Sequence, residues 1–154
     1  MNGEKVVMIT GAARRIGAEL VRHLHQSGMS IILHYCSSEN DATALAKDLN
    51  SQRADSVKLL RGDLREYSNI PDLIEQAASL FAGIDVLINN ASSFSPTYVN
   101  EVNEDVWEDL GGVNLKAPFF LSQAAAPHLA KSKGIIINIV LRYLRASVLG
   151  PYCS

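Results

Sequence analysis

Thr10-Gly11-Ala12-Ala13-Arg14-Arg15-Ile16-Gly17 is the stretch that decides how this chain is read. It follows the apolar run Lys5-Val6-Val7-Met8-Ile9 and opens a helical pattern, with Ile16, Leu20 and Leu24 at turn spacing and Gly28 as the stop. A strand that turns through glycine into a helix cradles phosphate. The first helical N–H groups lack partners and carry partial positive charge. Gly11 supplies the tight turn, and Gly17 lets the helix lie against the strand. Arg15 stands where a third glycine could stand, and a guanidinium there can reach a further phosphate.

Outward from this turn, strand and helix patterns alternate. Strands are expected over Lys5–Thr10, Ser30–Tyr35, Ser56–Arg61, Asp85–Asn89 and Gly134–Val140. Helices are expected over Arg15–Ser27, Glu39–Asn50 (capped by Ser38) and Ile70–Phe81 (capped by Ser68). A longer helix from Glu104 is expected to bend at Pro118 and kink near its end at Pro127. Strands that are near-continuous Val, Ile and Leu are buried on both faces, which predicts a parallel sheet covered by helices. Right-handed crossovers then give an α/β doubly wound sheet, Rossmann-like and three-layered, in the order 3-2-1-4-5. Cys36 is expected to be a small buried residue at a strand end, and His23 and His25 to be surface residues.

The chain has 154 residues and a formal net charge of −2, enough for one domain and without the basic surface that nucleic acid demands. No apolar run has the length of a membrane span, and the N-terminus has no basic-then-apolar leader. Cys36 and Cys153 are too few for a disulfide framework and no Cys/His cluster has metal-ligand spacing, so no metal and a cytoplasmic setting are expected.

Further features sit at strand ends. Asp63-Leu64 follows strand three and Asn89-Asn90-Ala91 follows strand four. Asn114 lies within a helical pattern, and strand five ends in Ile-Asn-Ile-Val. With the glycine turn, residues 1–140 resemble the short-chain dehydrogenase/reductase family, and residues 141–154 read as a tail outside it. A methyltransferase also begins with a glycine-rich turn, but lacks this spacing and the Asn-Asn-Ala. Within the family the chain is most similar to pteridine reductases. Arg15 is one reason. A second is His34-Tyr35 ending strand two with no acid beside it, where an Asp would hold the ribose of NAD and repel a 2′-phosphate. Ser37 and Ser38 can donate to such a phosphate, although Ser37 stands where that group often has Arg. The third is Asn89-Asn90-Ala91-Ser92-Ser93-Phe94, where the wider family has Gly after Ala.

The resemblance implies NADPH as cofactor and a pterin or dihydrofolate as substrate, in a homo-oligomer. It assigns cofactor binding to Gly11, Arg14, Arg15, Ile16, Gly17, His34, Tyr35, Ser37, Ser38, Asp63, Leu64, Asn90, Ala91 and Ser92. In it Asp63 meets the adenine amino group, Ser92 touches cofactor or pterin, and Phe94 stacks on the pterin ring. Asn114 helps hold a relay water. From the residues alone, the alternative for Phe94 is that it simply packs its own loop, and for Asn114 a hydrogen bond at a helix kink without chemistry. The family's proton donor is a Tyr with a Lys four residues on, which lowers the phenol's pKa. Tyr35, Tyr67, Tyr98 and Tyr143 are followed at that spacing by Glu39, Pro71, Val102 and Ser147, and Tyr152 by nothing. Leu141 stands where the family has Ser or Asp. The expectation is a C-terminally truncated or frameshifted reductase lacking part of its oligomer interface, inactive alone. Its fifth strand, Ile135 to Val140, is expected to be an exposed apolar edge.

Overall fold

The computed structural model describes residues 4–94 and 102–140; Tyr98, Leu141 and the tail lie outside the described residues. Element order is β1 (Val6–Ile9), α1 (Arg15–Gln26), β2 (Ser30–Tyr35), α2 (Glu39–Gln52), β3 (Val57–Arg61), a 3-10 turn (Tyr67–Asn69) and α3 (Ile70–Leu80). Then come β4 (Val86–Asn89), α4 (Glu104–Gly111), a π turn (Gly112–Lys116), α5 (Ala117–Ser132) and β5 (Ile135–Asn138). The strands form one parallel sheet in the order β3-β2-β1-β4-β5, as the pattern predicts.

The strands are apolar throughout because the pleat sends alternate residues into two different cores. Val6 and Met8 of β1, with Ile32 and Leu87, pack against α3 and α5. Val7 and Ile9, with Ile31, Leu33 and Ile88, pack against α1 and α2. The parallel register sets Met8 beside both Ile32 and Leu87, so neither face of the central strands meets water. β5 departs from this. It is the sheet's edge among the described residues, and Ile135, Ile136 and Ile137 are 55%, 39% and 41% exposed.

The helix from Glu104 continues to Ser132 through α4, the π turn and α5, its junction residues all right-handed helical, and the π turn that shifts its hydrogen-bond ladder lies just ahead of Pro118 in the first turn of α5. Pro127 lies inside the last turns of α5, where the kink is expected. α5 stops where Lys133 turns left-handed, with Gly134 N–H donating to the Leu129 carbonyl at 2.8 Å. Several local expectations are corrected. Ser38 is the N-cap of α2 but makes no side-chain cap bond. Asn69, not Ser68, precedes α3, because the 3-10 turn takes up Tyr67–Asn69. His25 is buried, its Nε2 2.8 Å from Ser56 Oγ, because the last turn of α1 rolls onto the start of β3. Cys36 is exposed, since the chain leaves the sheet at Tyr35.

Candidate dinucleotide site at the carboxyl ends of the strands

β1 ends at Ile9, and Thr10 then joins two strands. Its Oγ1 accepts from Asn90 N–H and Ala91 N–H, both at 3.0 Å, and donates to the Ile88 carbonyl at 3.4 Å. Asn90 answers across the same gap, its Nδ2 donating to the carbonyls of Thr10 at 2.9 Å and Gly11 at 3.1 Å. The β1–α1 turn is thereby tied to the end of β4. Gly11 has a left-handed φ of +59°, and a Cβ there would lie 2.8 Å from Ala91 Cα. A Cβ on Gly17 would lie 2.8 Å from both Ala12 Cα and Asn90 Nδ2, so the helix passes this point only as glycine.

Arg15 also has a left-handed φ, 51°, the conformation a glycine would adopt without cost. Ala18 N–H is taken by the Arg14 carbonyl at 3.3 Å, which leaves the N–H groups of Arg15, Ile16 and Gly17 at the open end of the helix. Ile16 does not face the core as its spacing suggests. It is exposed in the first turn, where α1 overlooks the cavity described next.

That cavity, about 510 Å³, lies over the carboxyl ends of the strands. It gathers Gly11, Arg14, Arg15, Ile16 and Gly17 from the turn, and His34, Tyr35, Ser37 and Ser38 from the end of β2. Asp63 and Leu64 enter from the end of β3, and Asn90, Ala91 and Ser92 from the end of β4. Segments as far apart as residues 11 and 92 meet because parallel strands bring all their carboxyl ends to one side. Reading the sequence missed Arg65, Ser93, Asp109 and Ile139, which line the same space. Arg65 had one legible signal, its spacing of two from Asp63, which suits a local turn at the aspartate.

His34 is a neutral brace inside the wall. Its ring is buried, Nδ1 accepts from Gly11 N–H at 3.3 Å, and Nε2 donates to the Gly62 carbonyl at 3.2 Å. Burial outweighs that carbonyl and the nearby Asp63, and lowers its pKa to about 4. Its part at this site is to hold the glycine turn rather than to present charge.

Charge around the cavity is already partly paired. Arg14 Nε lies 3.7 Å from Asp41. Arg65 grips Asp63 with Nε at 3.0 Å and an outer nitrogen at 2.8 Å. The Arg65 side-chain bond is the main reason the Asp63 carboxyl titrates below its usual range. Among the described residues no ion pair engages Arg15, which leaves its guanidinium available. Asn114 sits on the π turn, where its amide accepts from Ser93 N–H at 3.1 Å and donates to the Ser93 carbonyl at 2.9 Å. It therefore bonds the loop after β4, not its own helix. Phe94, on that loop, is 78% exposed. Among the described residues no cluster suits a metal ion, and no helix is long and apolar enough to cross a membrane.

A family model described as short chain dehydrogenase matches residues 5–146. An uncharacterized oxidoreductase of Staphylococcus aureus is 31% identical over 137 residues, covering 88% of this chain and 58% of that protein. The 3-oxoacyl-(acyl-carrier-protein) reductase FabG of the same organism is 28% identical, covering 90% and 56%. Among solved structures, a blue fluorescent protein from a metagenomic library, in complex with NADPH, is 35% identical with a TM-score of 0.80, covering 89% of this chain and 55% of that one. A variant of a Serratia marcescens short-chain dehydrogenase/reductase is 28% identical with a TM-score of 0.82, covering 94% and 60%. The chain thus spans little more than half the length of the relatives it matches. By its sheet order, its glycine turn and the family match over most of its length, the chain belongs to the short-chain dehydrogenase family.

Proposed function

We propose that this chain holds NADP(H) in the cavity above its sheet, as the cofactor half of a reductase of the pteridine reductase type. The observation that carries the cofactor choice is Arg15, the cavity guanidinium with no carboxylate partner among the described residues, facing a β2 end that offers Ser37 and Ser38 and no acid. Ser38 makes no side-chain bond to its own helix, so its hydroxyl is open to a ligand. The open N–H groups at α1 suit the pyrophosphate. A cavity of about 510 Å³ is within the range of small-molecule and cofactor sites. A bound NADPH supplies hydride from its nicotinamide. Asn114 holds Ser93, and through it sets the loop that carries Ser92 and Phe94. An exposed aromatic there suits a flat heteroaromatic substrate such as a pterin or dihydrofolate.

The 154 residues contain no Tyr-x-x-x-Lys, so by this reading the chain alone binds cofactor without turning it over. A second reading is reduction of a different carbonyl, favoured by a relative that is an oxoacyl reductase. Titration with NADPH and NADH, read by nicotinamide fluorescence, tests the cofactor. Tighter NADPH is expected, and Arg15→Ala should weaken NADPH more than NADH; equal affinities sink the reading. Mixing protein and NADPH with dihydrobiopterin, dihydrofolate or an oxoacyl thioester tests the rest. No sustained oxidation is expected, and turnover of any one would overturn the inactivity and name the substrate class.

A further inference from the structure

The loop after β3 and the π turn meet at one side chain. The π turn runs from Gly112 to Lys116, and the Ala117 N–H donates to the Gly112 carbonyl, five residues back rather than four. Such turns are rare, and inside helices they gather at functional sites. Tyr67, from the 3-10 turn, touches both ends of this one. Its Oη lies against Gly112, where a Cβ would stand 2.5 Å away, and Lys116 Nζ lies 4.2 Å from the centre of its ring. The ring also packs against Phe120 of α5, with centroids 6.0 Å apart. Gly112 shows what this contact demands. Its φ of −59° and ψ of −58° are helical, a conformation open to any residue. The backbone therefore does not require glycine here. Outside the helix's own backbone, Tyr67 is the one described residue within 4 Å of that Cβ position. Its ring does not swing clear without leaving Lys116 and Phe120.

Asn114 lies midway along the turn, between the two residues that Tyr67 touches, and its amide clasps both backbone groups of Ser93. Were the ladder to revert to bonds of four residues, Asn114 would rotate off Ser93. The sheet order says which end of the cavity this clasp serves. Ser92 follows β4, with β1 and β2 between it and the loop after β3 from which Tyr67 comes. A dinucleotide whose adenosine meets the end of β2 carries its nicotinamide toward β4. We infer that Tyr67 is a positioning residue for the nicotinamide end of the cavity: it fixes the π turn, and through Asn114 the loop that carries Ser92. This rests on the dinucleotide reading above. The side chain itself touches no part of the cofactor; it acts by excluding a side chain at Gly112 and holding Lys116.

The test is a size exchange in the full chain. Gly112→Ala should drive the turn off Tyr67. Adding Tyr67→Phe removes the hydroxyl, and the new methyl then faces ring carbon Cζ at 3.8 Å, an ordinary contact. Hydrogen exchange by NMR compares Ser93 N–H, held by Asn114, with Thr10 N–H, held in the sheet by the Ile88 carbonyl. Gly112→Ala should speed Ser93 about tenfold relative to Thr10, the loss of one hydrogen bond, and the double variant should return it to within about threefold of the native chain. Titration with NADPH and with 2′-phospho-ADP-ribose, which lacks the nicotinamide, reads the ligand. Gly112→Ala should weaken NADPH by about threefold or more and leave the fragment unchanged, and the double variant should recover most of the loss. Exchange that rises equally at Ser93 and Thr10 overturns the inference while the dinucleotide reading stands. So does a double variant no better than Gly112→Ala, a fragment weakened as much as NADPH, or a Gly112→Ala chain indistinguishable from the native one. A native chain that binds neither NADPH nor the fragment overturns both.

Discussion

Protonating His34 should unfasten the glycine turn. The ring is buried with its Nδ1 accepting from Gly11 N–H, and an imidazolium has no acceptor to offer. Its pKa falls from 6.5 to about 4 on folding, chiefly through burial. Between those two values the unfolded chain binds the proton and the folded chain does not, so stability rises with pH across this window. It is fully present above 6.5 and is lost as pH falls toward 4. At 1.36 kcal/mol per pH unit the loss is about 3 kcal/mol, a large share of a domain's stability. Asp63 has its carboxyl pKa lowered, so its contribution is lost below the ordinary value of 3.8, under this window. The assay is urea unfolding followed by circular dichroism at pH 7, 5.5 and 4, beside His34→Asn. The variant keeps an acceptor near Gly11 but loses the bond to Gly62, costing about 1–3 kcal/mol at pH 7. Its slope between pH 6.5 and 4 should be flatter than that of the native chain. Parallel slopes, or a His34 ring that titrates near 6.5 by NMR, would refute the assignment.

Gly17→Ala should cost about 1–3 kcal/mol and abolish NADPH binding, since its Cβ would lie 2.8 Å from Asn90 Nδ2; a thermal melt and a cofactor titration check both halves. Arg15→Gly should raise stability by about 1 kcal/mol by relieving the left-handed φ of 51°, yet weaken NADPH, so stability and binding move in opposite directions. The exposed edge of β5 should make the chain self-associate, and Ile137→Lys should then reduce light scattering and hydrophobic-dye binding; unchanged values would refute a role for that edge.

The element order and the sheet were legible in the sequence because they follow from local pattern. A run such as Ile31-Ile32-Leu33 is buried on both faces in any parallel sheet, and a glycine turn between strand and helix has one common use. Many of the residues that line the cavity could be named in advance for a related reason. A doubly wound sheet puts the residue after each strand on the same rim, so position along the chain implies position in space. That rule covers strand ends only. It could not reveal that His34 is a buried brace rather than a phosphate ligand, because the partners of its ring, Gly11 and Gly62, come from turns on either side of β2. Nor could it reveal that Asn114 bonds Ser93, or that Arg65 spans from Asp63 toward Asp109, since α4 and the π turn carry no strand-end signal. Period and glycine spacing are properties of neighbours along the chain. Which acceptor a buried donor finds is decided only when the crossovers close and bring residues 11, 34 and 62, or 63 and 109, within reach of one another.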